Sequence, residues 1–197
     1  MKKYFLLLTL LSSITLAAQV YPTTRGLFLN LHVGAASVAY DDVNDESAGG
    51  GGVGLRAGYG ITPTTTLYLG IAGYNISGNS NTIFLEDYPV GIFEIGSRFH
   101  FGKKVKPLMF YLDVALQGVR ATPFDEPAEV TLNGGGLAVA PGLMYFFTDR
   151  LAIDAQLRLG GGRINEFESG NLSVDVSDEN FNYGLSRLTV GMTFFPF

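Results

Sequence analysis

The feature that most constrains this chain is an apolar alternation of period two, clearest in the final segment, Tyr183 to Phe197. Leu188, Val190, Met192 and Phe194 fall on one face, and Arg187, Thr189, Gly191 and Thr193 on the other. Such a pattern predicts a β-strand whose two faces meet different surroundings. The segment runs out on Phe-Phe-Pro-Phe, and an apolar end of this kind is expected to be seated in an apolar medium rather than frayed into water.

Seven earlier segments carry the same rhythm. Gly26 to Tyr40 sets Leu27, Leu29, Leu31 and Val33 against Asn30 and His32. Gly51 to Ile61 sets Val53, Leu55, Ala57, Tyr59 and Ile61 against Gly54, Arg56, Gly58 and Gly60, and a tight turn at Thr62-Pro63-Thr64 leads into Thr66 to Asn75. Val90 to Phe101 sets Phe93, Ile95, Phe99 and Phe101 against Glu94, Gly96, Arg98 and His100. Leu108 to Arg120 opposes Phe110, Leu112, Val114 and Leu116 to Tyr111, Asp113 and Gln117. Gly135 to Phe147 opposes Leu137, Val139, Leu143, Tyr145 and Phe147 to Ala138, Ala140, Gly142 and Met144. The seventh segment, from Leu151, opposes Ile153, Ala155, Leu157 and Leu159 to Asp154, Gln156 and Arg158.

The chain is 47% hydrophobic with 26 Gly. Past the N-terminal region it holds no run of the ~18 apolar residues that a membrane helix needs. Strands in lipid can satisfy their backbone groups only by closing on themselves. The expected fold is therefore all-β: an eight-stranded antiparallel up-and-down transmembrane β-barrel over residues 19–197. Residues 1–18 read as a signal peptide. Lys2 and Lys3 are its positive end, Tyr4 to Leu16 its apolar stretch, and Leu16-Ala17-Ala18 before Gln19 a small-residue cleavage site near Ala18.

The connections alternate in length. They are short after the second, fourth and sixth strands. They are long at Asp41 to Gly50, Ile76 to Pro89, Ala121 to Gly134 and Asn165 to Asn182. Fourteen of the 18 acidic residues fall in the long ones, among them Asp41, Asp42, Asp45, Glu46, Asp125, Glu126, Asp175, Asp178 and Glu179. Lys103, Lys104, Lys106 and Arg150 fall in the short ones. The barrel thus has two unlike ends, and its acidity makes nucleic acid an unsuitable partner. With no Cys there is no lipid attachment point, disulfide or thiolate metal site.

Alternation alone also fits a soluble lipocalin-like barrel with its apolar face inward. The polar face separates the two readings, because it is mostly Gly and Ala with isolated Arg, Asp, His and Gln. That composition suits a crowded lumen better than a watery exterior. Tyr59, Phe99, Phe101, Phe110, Tyr145, Phe147 and Phe194 gather beside the short turns as an interfacial girdle would. At the other end only Phe93 fits, and Tyr40 and Tyr88 are out of phase.

On these features the chain resembles the small outer-membrane β-barrel family of Gram-negative bacteria, the OmpA/OmpX-like class. The resemblance implies a monomer in the bacterial outer membrane, surrounded by outer-membrane lipid and lipopolysaccharide. It also implies that the barrel-assembly machinery reads the last strand, the matching residues being Val190, Met192, Phe194 and Phe197. One departure is that Phe195 and Phe197 are out of step with Phe194, with Pro196 between them, so a terminal bulge is expected. A second bulge is expected at Pro141, whose missing N–H has no free edge to sit on.

Eight strands leave an interior just wide enough for side chains to fill. Arg56, Arg98, Arg158 and Arg187 would meet Glu94, Asp113 and Asp154 there, with His32, His100, Gln117 and Gln156 among them. Tight folding of the hairpin sets Arg98 opposite Tyr111 and diagonal to Asp113. Buried charges of this kind must be paired, which predicts a structural plug; the rival is a narrow or gated ion path. Outer-membrane lipid A deacylases and palmitoyltransferases need a His with a Ser and an acid near the lipid. His100 is followed by Phe101 and Gly102, so no catalytic set and no cofactor are expected. Asp175, Asp178 and Glu179 lack the spacing of a calcium loop. The expected function is structural or surface-interactive, through long acidic loops and an unidentified extracellular ligand. The alternatives are a pore, a lipid A-modifying enzyme and a lipocalin-like binder.

Overall fold

The computed structural model describes residues 22–40, 48–77, 87–101, 107–124, 130–169, 172–176 and 181–196. Among these residues nine strands run in chain order: β1 (Gly26–Tyr40), β2 (Ala48–Thr62), β3 (Thr65–Ile76), β4 (Tyr88–Phe101), β5 (Leu108–Phe124), β6 (Val130–Phe146), β7 (Leu151–Ser169), β8 (Leu172–Asp175) and β9 (Asn182–Phe194). From β1 to β7 each pairs antiparallel with the next, and β9 lies between β7 and β1. These eight close into an antiparallel barrel, and β8 pairs with β7 alone.

The alternation has the polarity that a membrane requires. Leu31, Val53, Ile71, Ile95, Leu116, Leu137, Leu159 and Leu188 are exposed on the outer wall, while each of the eight barrel strands turns its other parity inward. A lipocalin-like barrel would have the reverse. An outer wall of this kind is stable only against acyl chains, since about 25 cal/mol per Å² favours removing apolar surface from water. Leu112 is half-buried and Leu157 and Val190 are exposed, all on the outer face, whereas Arg98 and Asp154 are buried within.

Four details differ from the sequence-based expectations. Strands β5, β6 and β7 run several residues further toward the long-loop end than the apolar alternation does. Part of the last long connection is a hairpin, with Glu166 to Ser169 paired against Leu172 to Asp175. Pairing there needs only backbone groups, so it continues past the last lipid-facing side chain. No bulge forms at Pro141. Val139 pairs with Leu159 and Gly142 with Gln156, so the register is unchanged across a short break in the β6–β7 ladder. Losing two rungs disturbs less than shifting every side chain beyond. Nor is β9 bulged at its end. Phe194 points outward and Phe195 inward, in step with the rest of the strand, and Phe195 packs on Phe146 and Phe28 with ring centroids 5.8 and 6.1 Å away. Phe197 lies outside the described residues, as do the signal segment, Asp41, Asp42, Asp45, Glu46, Asp125, Glu126, Asp178, Glu179 and the turn lysines.

The interior has three layers. At the long-loop end an apolar cluster fills the lumen, including Val38, Tyr40, Tyr74, Ile76, Tyr88, Val90, Leu132, Ile164, Tyr183 and Leu185. At the short-turn end a second holds Phe28, Tyr68, Met109, Tyr111, Met144, Phe146 and Phe195. The charged residues are sandwiched between them. Residues 22–25 cross the short-turn end, where Thr23 N donates to Asp149 O at 3.0 Å and Thr24 Oγ1 to Pro63 O at 2.6 Å.

Candidate functional site: the charged layer inside the barrel

The charged layer is built by inward-facing residues from five strands. Arg56 comes from β2, Glu94 and Arg98 from β4, Asp113 from β5, Asp154 and Arg158 from β7, and Arg187 from β9. Each is at most 2% exposed. The register of β4 and β5 sets Arg98 directly opposite Asp113, and His100 opposite Tyr111. This corrects the diagonal placement expected from a tight turn. Direct opposition lets the planar guanidinium meet the carboxylate edge to edge, a bidentate geometry that a diagonal pair would not reach. Arg98 Nε donates to Asp113 Oδ1 at 2.7 Å and Nη2 to Oδ2 at 3.0 Å. Its Nη1 reaches Asp154 Oδ2 at 3.2 Å, and its guanidinium carbon lies 3.8 Å from the centroid of the Tyr111 ring.

Glu94 is the second hub. Its Oε1 accepts from Arg158 Nη1 at 3.1 Å and from Arg187 Nη2, and its Oε2 from Arg56 Nε at 3.5 Å. Arg158 joins the hubs, since its Nη2 also donates to Asp113 Oδ2 at 2.8 Å. Tyr68 accepts from Arg158 at 3.1 Å, and Tyr111 donates to Asp154 Oδ2 at 2.7 Å. Turned so that its oxygen faces Arg56, the Gln156 amide accepts from both terminal nitrogens at 2.9 and 2.6 Å. Low local dielectric makes each contact strong, and makes each missing one expensive.

Glycines give these side chains their room. A Cβ on Gly96 would lie 2.6 Å from the Tyr68 ring carbon and hydroxyl, and one on Gly142 would strike the Tyr111 ring. Alternating Gly with bulky inward residues is how a narrow barrel accommodates arginine and tyrosine together.

The remaining sequence candidates scatter. His32 Nδ1 lies 3.0 Å from Asn30 Oδ1, which also accepts from Arg56 Nη1 at 3.5 Å. His100 Nε2 lies 3.1 Å from Thr66 Oγ1. Asp175 is exposed on β8, away from the charged layer. Among the described residues no group of three or more His, Asp and Glu is placed to hold a metal ion. Val190, Met192 and Phe194 lie on the outer face of β9. What sequence reasoning missed is the pair of inward apolar layers. Their signal was present in the parity of Tyr40 and Tyr88, which fails for an outer girdle because both rings point into the lumen.

Comparison with known proteins agrees with this architecture. A family model described as the outer membrane protein beta-barrel domain matches residues 6–194. Among solved structures, Neisserial surface protein A superposes with a TM-score of 0.64 at 20% identity, covering 86% of this chain and 96% of that one. OprG from Pseudomonas aeruginosa gives 0.58 at 12% identity, covering 89% and 98%. Ail of Yersinia pestis, in complex with the heparin analogue sucrose octasulfate, gives 0.50 at 15% identity, covering 87% and 100%. Among curated protein sequences none matches.

Proposed function

The chain belongs to the outer membrane protein beta-barrel domain family of the bacterial outer membrane, and from that premise we propose that it is a non-catalytic, non-conducting barrel that presents its long acidic loops at the cell surface. The observation that carries this reading is the layered interior. Seven interlocked charges lie between two apolar layers, Tyr40, Tyr74, Tyr88 and Tyr183 above and Phe28, Phe146 and Phe195 below. An ion would have to strip its water to enter either layer.

In this reading the residues from 19 onward form the mature barrel after cleavage near Ala18. The short turns and both termini face the periplasm, and the long connections face outward. Outer-membrane lipid and lipopolysaccharide surround the exposed Leu and Val belt. The assembly machinery reads Val190, Met192, Phe194 and Phe197 during insertion, and the mature protein is a monomer. The loops hold most of the acidic residues, so a cationic ligand, or one bridged by divalent ions, suits them better than the sulfated analogue held by Ail.

Single-channel recording on the purified protein tests the reading, together with mass analysis of lipid A from cells with and without it. Silent bilayers and unchanged lipid A are the expected results. Steady conductance, or a lipid A species that depends on the protein, would overturn it.

A further inference from the structure

The charged layer does not balance. Four arginines (Arg56, Arg98, Arg158 and Arg187) face three carboxylates (Glu94, Asp113 and Asp154), all of them buried. A guanidinium is always protonated in a protein. With every carboxylate ionised, the described residues of the layer therefore carry one excess positive charge, and a protonated His32 or His100 would only add to it. The apolar layers at both ends keep bulk counterions away.

The excess is localised. Arg158 and Arg187 are direct cross-strand partners on β7 and β9. Like charges in that position repel, and here they share the single Glu94 oxygen. Their remaining donors are the ones left over. Arg158 Nε, Arg187 Nε and Arg187 Nη1 are buried without a hydrogen-bond partner among the described residues, and Asp154 Oδ1 is the one carboxylate oxygen in the same condition. Donors in excess of acceptors, on the two guanidiniums that already share one carboxylate, are what an anion site looks like from the protein's side. Water could satisfy those N–H groups but could not neutralise the charge.

We propose that the barrel interior binds one small monovalent inorganic anion, chloride in the first instance, against Arg187 and its partner Arg158. The anion is a structural counterion that completes the charged layer. It is captured as the barrel closes and exchanges slowly, because either apolar layer must open to release it. The proposal stands on the charge count and the unpartnered donors, and is independent of what the loops do.

Two measurements on the full barrel in detergent test it. In crystals of barrel refolded and kept in bromide, an anomalous peak within hydrogen-bonding distance of Arg187 or Arg158 is expected. Separately, the temperature of the gel-mobility shift that marks unfolding is followed for barrel refolded in chloride and for barrel refolded in gluconate, at equal ionic strength. The wild-type transition should fall by several degrees in gluconate, since a ligand bound only by the folded state raises its stability. Arg187→Gln, whose interior is neutral, should lose that difference. If Arg187→Gln fails to refold, the bromide experiment on the wild type decides alone. No bromide peak in the interior, or equal transitions in the two salts, would overturn the site.

Discussion

Arg158 on β7 and Arg187 on β9 stand directly opposite each other inside the barrel, held together by a carboxylate from the far wall. Glu94 reaches across from β4 to do this, so a contact of long sequence separation fixes the distance between two walls of the cylinder. The charged layer therefore acts as a set of struts as well as a filling.

Glu94→Gln should be among the most damaging conservative substitutions. It leaves Arg56, Arg158 and Arg187 without the carboxylate they share. Stripping the partner from a buried charge costs about 3–5 kcal/mol. Urea titration followed by gel mobility is expected to show a much earlier midpoint, whereas Asp149→Asn, in an exposed turn, should change it little.

Arg98 and Asp113 form a bidentate pair, and their energies should be coupled. Arg98→Met and Asp113→Leu each take the bidentate partner from a buried charge, while the double variant removes both. The double variant is expected to be less destabilised than the sum of the singles, by roughly 0.5–3 kcal/mol. The residual loss reports the contacts of Arg158 to Asp113 and of Arg98 to Asp154, which the cycle does not restore. Strict additivity would show that the pair contributes no strut.

Two glycines at opposite faces of the wall make a paired test. A Cβ at Gly96 would press into Tyr68, which binds Arg158, and overpacking of this kind costs about 1–3 kcal/mol. A Cβ at Gly73 would meet nothing within 4 Å. Gly96→Ala should unfold at lower urea, and Gly73→Ala should match or exceed the wild type. The same gel assay reads both.

Lipid exposure predicts a contrast between two leucines of similar accessibility. Leu116 on β5 and Leu172 on β8 are 64% and 75% exposed. Leu116 sits in the apolar belt, where an arginine costs about 2–4 kcal/mol near the bilayer centre. Leu172 belongs to the hairpin beyond it, where surface changes stay within about 0.5 kcal/mol. Refolding into vesicles should separate Leu116→Arg sharply from Leu172→Arg; equal effects would mean that the wall does not face lipid.

Much of this architecture was legible because lipid and lumen impose opposite demands on adjacent residues, and the outward Leu27, Leu29, Leu31 and Val33 of β1, set against inward Asn30 and His32, show that demand. The register of β4 against β5 was not legible. It depends on the path of the connecting turn, and local alternation is the same for Arg98 opposite Tyr111 as for Arg98 opposite Asp113. The hairpin of β7 and β8 escaped notice because Glu166, Glu168, Ser173 and Asp175 read as a solvated loop, although backbone pairing is indifferent to that polarity. The apolar layers escaped because inward Ile76, Ile164 and Phe146 look, residue by residue, like any other hydrophobic strand position.

A cylinder whose staves are all bonded on both sides has no natural place to begin coming apart, except where a rung is missing. Pro141 supplies such a place. The ladder between β6 and β7 lapses there, opposite Leu157 and Arg158, and resumes in the same register on either side. That seam leaves the wall short of two rungs at mid-height. Amide exchange in a folded barrel should accordingly be quick along it, ahead of the unbroken ladders on either side.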